Sequence, residues 1–286
     1  MLATTFAVAP TLRAQGVSYD ITTTGTGMDR RGGGTSSVTM MAGHGQFANG
    51  ISRLDFTQSM SPPGAMMSSG TYMISNTTKG TTTTVDPAKH QYTVIDLADL
   101  AKTSAALQQS MGGMMKTELT DVKVGIEDLG AGDPLEGYST VHYRMTESYT
   151  MKMSIMGHTS ESATHATSEF WVAPQLDEIM NPGARPSSAV VPGPMAALSA
   201  EIAKAYAKVR KGVVLKSVNT TQSENGGKTR ATTMTMVISN VKRVPVSASA
   251  FEVPAGYTKV ASFSDALSPM GAIADSMKAA RSRKPQ

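Results

Sequence analysis

The feature that most limits how this chain can fold is an alternation running from Val141 to Ile155. Val141, Tyr143, Met145, Tyr149, Met151, Met153 and Ile155 take every second position, interrupted only by Glu147. Arg144, Thr146, Ser148, Thr150, Lys152 and Ser154 stand between them. Side chains of an extended strand point alternately to opposite faces, so a period of two specifies one dry face and one wet face. Met145, Met151 and Met153 are expected to face the covered side, with Arg144 and Lys152 turned away.

Similar segments precede this strand: Val17–Thr24, Ser36–Met41, Gly50–Thr57, Gly70–Asn76, Thr81–Val85 and Gln91–Ile95. Turn formers separate them, including Gly25–Gly27, Arg31–Gly34, Lys79-Gly80 and Asp86-Pro87. Short strands at this spacing predict a meander of hairpins. Further strands are predicted at Leu119–Asp128, Tyr138–Ile155, Thr164–Val172, Val213–Thr221 and Lys228–Val241, with Gly130–Gly137 as a turn. Helical spacing appears in three places. Leu97, Leu100, Leu107, Met111 and Met114 form one stripe behind Asp96, which is placed to cap it. Pro194 opens a second helix with Leu198, Ile202, Tyr206 and Val209 on one face, and Ser268-Pro269 opens a third with Met270, Ile273 and Met277.

Size and composition narrow the function classes. The chain has 286 residues, enough for one large β-rich domain, and no long linker divides it. Charged residues make up 17%, and threonine and serine supply the polarity instead. A net charge of +4 with no basic block interleaved with aromatics argues against nucleic acid. Cysteine is absent, which excludes disulfides, thiolate metal sites and lipidated cysteine. Met1–Pro10 is apolar, and Leu12-Arg13-Ala14-Gln15 reads as the end of a secretory signal cleaved after Ala14. The expected organisation is a signal remnant over 1–15, one domain over 16–260, and a C-terminal helix with a basic tail over 261–286. A periplasmic or secreted location follows. No run reaches the length of a membrane span.

No nucleophile elbow, zinc-protease pair or phosphate loop is present, so no catalytic residue, cofactor or enzyme activity is expected. The histidines are His44, His90, His142, His158 and His165. His142 and His158 fall on the wet face, and His165 is expected to approach His158 across a hairpin. An exposed polar face is the preferred reading because no third metal ligand stands in register. Methionine is abundant, at 21 residues, with clusters at Met40-Met41, Met66-Met67 and Met111 with Met114-Met115. Thioethers suit Cu(I), but strand and helix positions favour core or pocket lining, where methionine fills irregular space.

Four stretches carry a family resemblance: Gly50–Thr57 (GISRLDFT), Thr84–Asp96 (TVDPAKHQYTVID), Glu169–Pro174 (EFWVAP) and Phe251–Tyr257 (FEVPAGY). In this order they resemble a bacterial family of exported proteins of unknown function. Its fold is similar to the periplasmic lipoprotein carriers of the LolA and LolB type. The resemblance implies an α+β, mainly β fold: a curved antiparallel sheet, an incomplete barrel, covered on its concave side by two or three helices. Leu100, Leu107 and Met111 from the helices, and Met145, Met151, Met153, Met234 and Met236 from the sheet, would then line a pocket for a lipid or other hydrophobic molecule. A structural or partner-binding protein with a filled core is the competing expectation. Copper handling by methionine and histidine comes third.

Overall fold

Period-two patterning governs most of the chain. The computed structural model describes residues 14–26, 37–61, 67–103, 115–155, 158–176 and 195–261. The first run of strands is β1 (Ala14–Thr26), β2 (Val38–Ala48), β3 (Ile51–Ser59), β4 (Tyr72–Asn76), β5 (Thr81–Asp86) and β6 (Gln91–Asp96). The second is β7 (Met115–Leu135), β8 (Tyr138–Ile155), β9 (His158–Ala173), β10 (Val213–Asn225) and β11 (Lys228–Val246), followed by the short β12 (Thr258–Lys259). All lie in one open sheet, in the order β12-β6-β5-β4-β3-β2-β1-β11-β10-β9-β8-β7.

Two meanders, β1–β6 and β7–β11, are therefore joined side by side through β1 and β11. That junction is antiparallel, with Ile21 opposite Ile238 and Thr23 opposite Met236. Only β12 pairs in parallel, with β6. Asn49-Gly50, Glu136-Gly137 and Gly226-Gly227 close three of the hairpins, each pair at positive φ. Two left-handed residues in succession match the twist of the flanking strands, and glycine enters that region without a steric penalty.

Two buried clusters are built around the dry face. The first gathers Tyr19, Ile21, Leu54, Phe56, Leu215 and Ile238 with Leu176 from the 3-10 turn Pro174–Leu176. The second joins Tyr143, Met145, Phe170, Val172 and Val214 to Ala205 of the helix Ala196–Tyr206. Tyr206 stacks on Phe170 at 5.6 Å between ring centroids. A third cluster, Tyr72, Ile74 and Val85, lies on the other face under Phe251, Val253 and Tyr257.

This overturns the expected fold class. Among the described residues, no set of two or three helices roofs a concave side of the sheet. One open twelve-stranded sheet dominates, and the Ala196–Tyr206 helix packs over its β7–β10 end. Residues 97–103 are helical, and Asp96 Oδ1 caps them by accepting from the N–H groups of Ala98 (2.8 Å) and Asp99 (3.2 Å). Leu97 nevertheless stays 43% exposed, so the described start of this stripe does not bury it against the sheet. The helix expected from Ser268 and residues 1–13 of the leader expected over 1–15 lie outside the described residues, while Ala14 and Gln15 belong to β1, opposite Val246 and Pro245 of β11.

Part of the reason is strand length. β7 runs 21 residues and β11 runs 19, longer than their patterns predicted. β7 continues through the segment expected to be the turn Gly130–Gly137 because register shifts after Thr120, Asp128 and Gly132 absorb the irregular residues as bulges. Among the described residues, no helix is long and apolar enough to cross a membrane.

Candidate functional site

Cross-strand register brings side chains from six strands to one place on the dry face. Ile21 and Thr23 of β1 stand between Ile238 and Met236 of β11 on one side and Gly43 and Met41 of β2 on the other. Leu54 and Phe56 of β3 extend the row, with Met73 of β4 opposite Leu54. Across β11, Met234 pairs with Asn219 and Met236 with Ser217. Directly paired residues share a face, so alternation alone delivers all of these to the same side.

Between them lies a cavity of about 340 Å³, with Met67 on its rim. Five methionines line it: Met41, Met67, Met73, Met234 and Met236. Met67 and Met234 are 46% and 38% exposed, so the cavity opens to solvent. Its lining carries no charged side chain. One wall is polar and held still: Asn219 Nδ2 donates to Ser168 Oγ at 2.6 Å, and Thr221 Oγ1 donates to Asn219 Oδ1 at 2.9 Å. Polarizable thioethers on most sides, with one fixed amide, make a surface that adapts to apolar shapes while retaining a single polar contact.

Two ionisable groups are disturbed on this face. The Tyr19 hydroxyl is buried without a hydrogen-bond partner, and burial pushes its pKa up from 10.0 to about 12. Glu147 interrupts the apolar row on β8, opposite Ala166 of β9 and Val124 of β7, and burial raises its pKa above the ordinary carboxylate range.

Of the residues expected to line a pocket, Met234 and Met236 do. Met145 is 4% exposed and packs as core with Phe170 and Ala205, away from the cavity. Met151 and Met153 are half-buried farther along β8, opposite Ser162 and Ser160 of β9. Leu100 is half-buried in the helical segment and does not line the cavity, while Leu107 and Met111 lie outside the described residues. Sequence reasoning missed Met41, Met67 and Met73 as lining. Met40-Met41 and Met66-Met67 were visible as pairs, and strand parity selects Met41 from its pair.

The histidines do not assemble as expected. His158 and His165 lie on one strand, seven residues apart, on opposite faces and about 23 Å from each other. The hairpin turn falls before His158, so His165 cannot fold back on it. His44 Nδ1 lies 2.8 Å from Asp20 Oδ1, and Asn240 Nδ2 donates to the other carboxylate oxygen at 2.7 Å. His142 stacks on Trp171 at 4.2 Å, and Lys216 Nζ sits 4.5 Å from the indole ring centroid. His142 Nε2 is 3.3 Å from Glu169 Oε2 but off the line that a hydrogen bond requires. Arg144 binds Glu169 more directly, at 2.9 Å, and holds its carboxyl below the usual range. Among the described residues, no three His, Asp or Glu side chains converge as a metal site.

Residues 37–257 match the family described as "Domain of unknown function (DUF4412)". Among curated proteins, nothing matches the chain.

Proposed function

The chain belongs to the DUF4412 family of domains of unknown function, and from that footing we propose that it binds a lipid, acyl chain or other hydrophobic molecule on its methionine face. One observation carries the reading: an open cavity of about 340 Å³ lined by five methionines with Ile21, Leu54 and Phe56. Small-ligand pockets run from roughly 300 to 1,000 Å³ and combine apolar walls with a few fixed polar groups. Here Asn219 is the fixed group, suited to an ester or carboxyl end. The proposal includes an envelope location, which rests on the apolar Met1–Pro10 segment and the exported-family resemblance, and it includes no catalysis.

The test is titration with a fluorescent fatty acid. Saturable binding is expected, and Met236→Trp, which fills the cavity, should weaken it. Losing burial of one acyl segment at about 25 cal/mol per Å² is worth on the order of 1–2 kcal/mol, or roughly fivefold to thirtyfold in affinity. Cu(I) competes for the same thioethers, so a metal titration runs alongside. Tight Cu(I) binding that leucine replacements of Met41, Met73 and Met236 abolish, with no acyl binding, would replace lipid by copper. Binding of neither returns the protein to a structural or partner-binding role.

A further inference from the structure

A second cavity, of about 420 Å³, lies on the opposite face of the first meander. Its floor is apolar and comes from both sides of the space: Ile51 and Ile74 from β3 and β4, and Phe251 from the 3-10 turn Ala248–Phe251. Lys79 stands on one wall, in the turn joining β4 to β5, and Glu252 stands on the other, just beyond the 3-10 turn. Both walls are fixed. Asn76 Oδ1 accepts from the Lys79 backbone N–H at 2.9 Å, which sets the turn. Arg53 Nη1 donates to the Ala250 carbonyl at 3.1 Å, and Phe251, Val253 and Tyr257 pack on the Tyr72 cluster, which pins the strap bearing Glu252.

Lys79 and Glu252 make no ion pair with each other or with any other described residue. Opposite charges lining one cavity without pairing, beside an apolar floor, match a ligand carrying both charges and a hydrophobic body. We propose that this cavity binds a small zwitterion of the apolar α-amino acid class. Lys79 receives the carboxylate, Glu252 receives the ammonium, and Ile51, Ile74 and Phe251 hold the side chain. A simple anion meets Glu252 and a simple cation meets Lys79, so the pair selects against both.

Calorimetric titration of the full chain with leucine tests this, with N-acetylleucine and leucinamide as single-charge probes. Saturable leucine binding is expected. Lys79→Gln and Glu252→Gln should each weaken it about fivefold, the effect of one exposed ion pair. Leucinamide should bind more weakly than leucine and be insensitive to Lys79→Gln, and N-acetylleucine should be insensitive to Glu252→Gln. Both substitutions are on exposed turns, and unchanged melting temperatures would show that the fold is intact. Met236→Trp should leave leucine binding unaltered, which separates this site from the methionine pocket. Absence of saturable binding in the millimolar range, leucine binding unchanged in both glutamine variants, or N-acetylleucine binding as tightly as leucine would each overturn the proposal.

Discussion

Tyr19 shows how much one side chain can set in this sheet. Its ring is fully buried and lies against Gly45, where a Cβ would collide with the ring carbon bearing the hydroxyl. The ring fits because its cross-strand partner has no side chain, yet the hydroxyl is left without a partner. An unfolded chain ionises Tyr19 near pH 10.0, while the fold keeps it neutral until about 12. Its contribution is therefore complete below pH 10.0 and is lost as pH rises through about 12, on the order of 2–3 kcal/mol. Tyr19→Phe removes an orphan whose burial costs about 1–3 kcal/mol, so it should match or exceed the native protein at pH 7. It should also lose less stability by pH 11. Urea melts at both pH values decide this, and a native protein that keeps its full stability at pH 11 would refute it. Glu147 is shifted in the same direction, also by burial, but its window lies at lower pH. Burial raises its pKa, so ionisation costs the folded state stability as pH rises above the unfolded value of 4.5. Glu147→Gln should melt higher than native at pH 7, and the gap should close below that value; equal melting temperatures at pH 7 would count against it.

At the scale of elements, β8 carries the sharpest contrast. Met145 and Met151 occupy the same face, but only Met145 lies in the cluster with Phe170 and Ala205 of the Ala196–Tyr206 helix. Met145→Lys strands an unpaired charge in a dry cluster and should cost several kcal/mol, enough to unfold a marginal domain. Met151→Lys, at a half-buried position opposite Ser162, should cost clearly less. Thermal melts rank the two, and the reverse order would show that the helix covers the other end of the strand. Alternation made β8 legible from Tyr138 to Ile155, and the Lys79-Gly80 turn and Asp96 cap were equally plain, because local sterics and hydrogen bonds decide them. Strand ends at β7 were not legible, since bulges at Thr120 and Asp128 break the period there. The cavity was legible only in Met234 and Met236. Its other walls depend on β1 lying between β2 and β11, a long-range pairing that no local pattern encodes.

The whole molecule hangs on that pairing. β1 contributes Val17, Tyr19 and Ile21 to the first core cluster and forms the seam between the two meanders. The family match spans residues 37–257 and so leaves β1 outside it. A fragment of residues 37–257 should lose cooperative melting, because it bares the facing edges of β2 and β11 and empties the centre of the core. A sharp transition near that of the full chain would show that β1 is an accessory strand. The seam also orders events in time. β1 precedes its partner β11 by more than two hundred residues, all of which a ribosome must deliver before the pair can close. Until then the first meander carries an unmatched strand at its edge, a template for joining a neighbouring chain. Contacts this distant in sequence slow folding into the millisecond-to-second range. Covering that edge during the interval is expected to raise the yield of folded protein, which co-expression with a chaperone would measure.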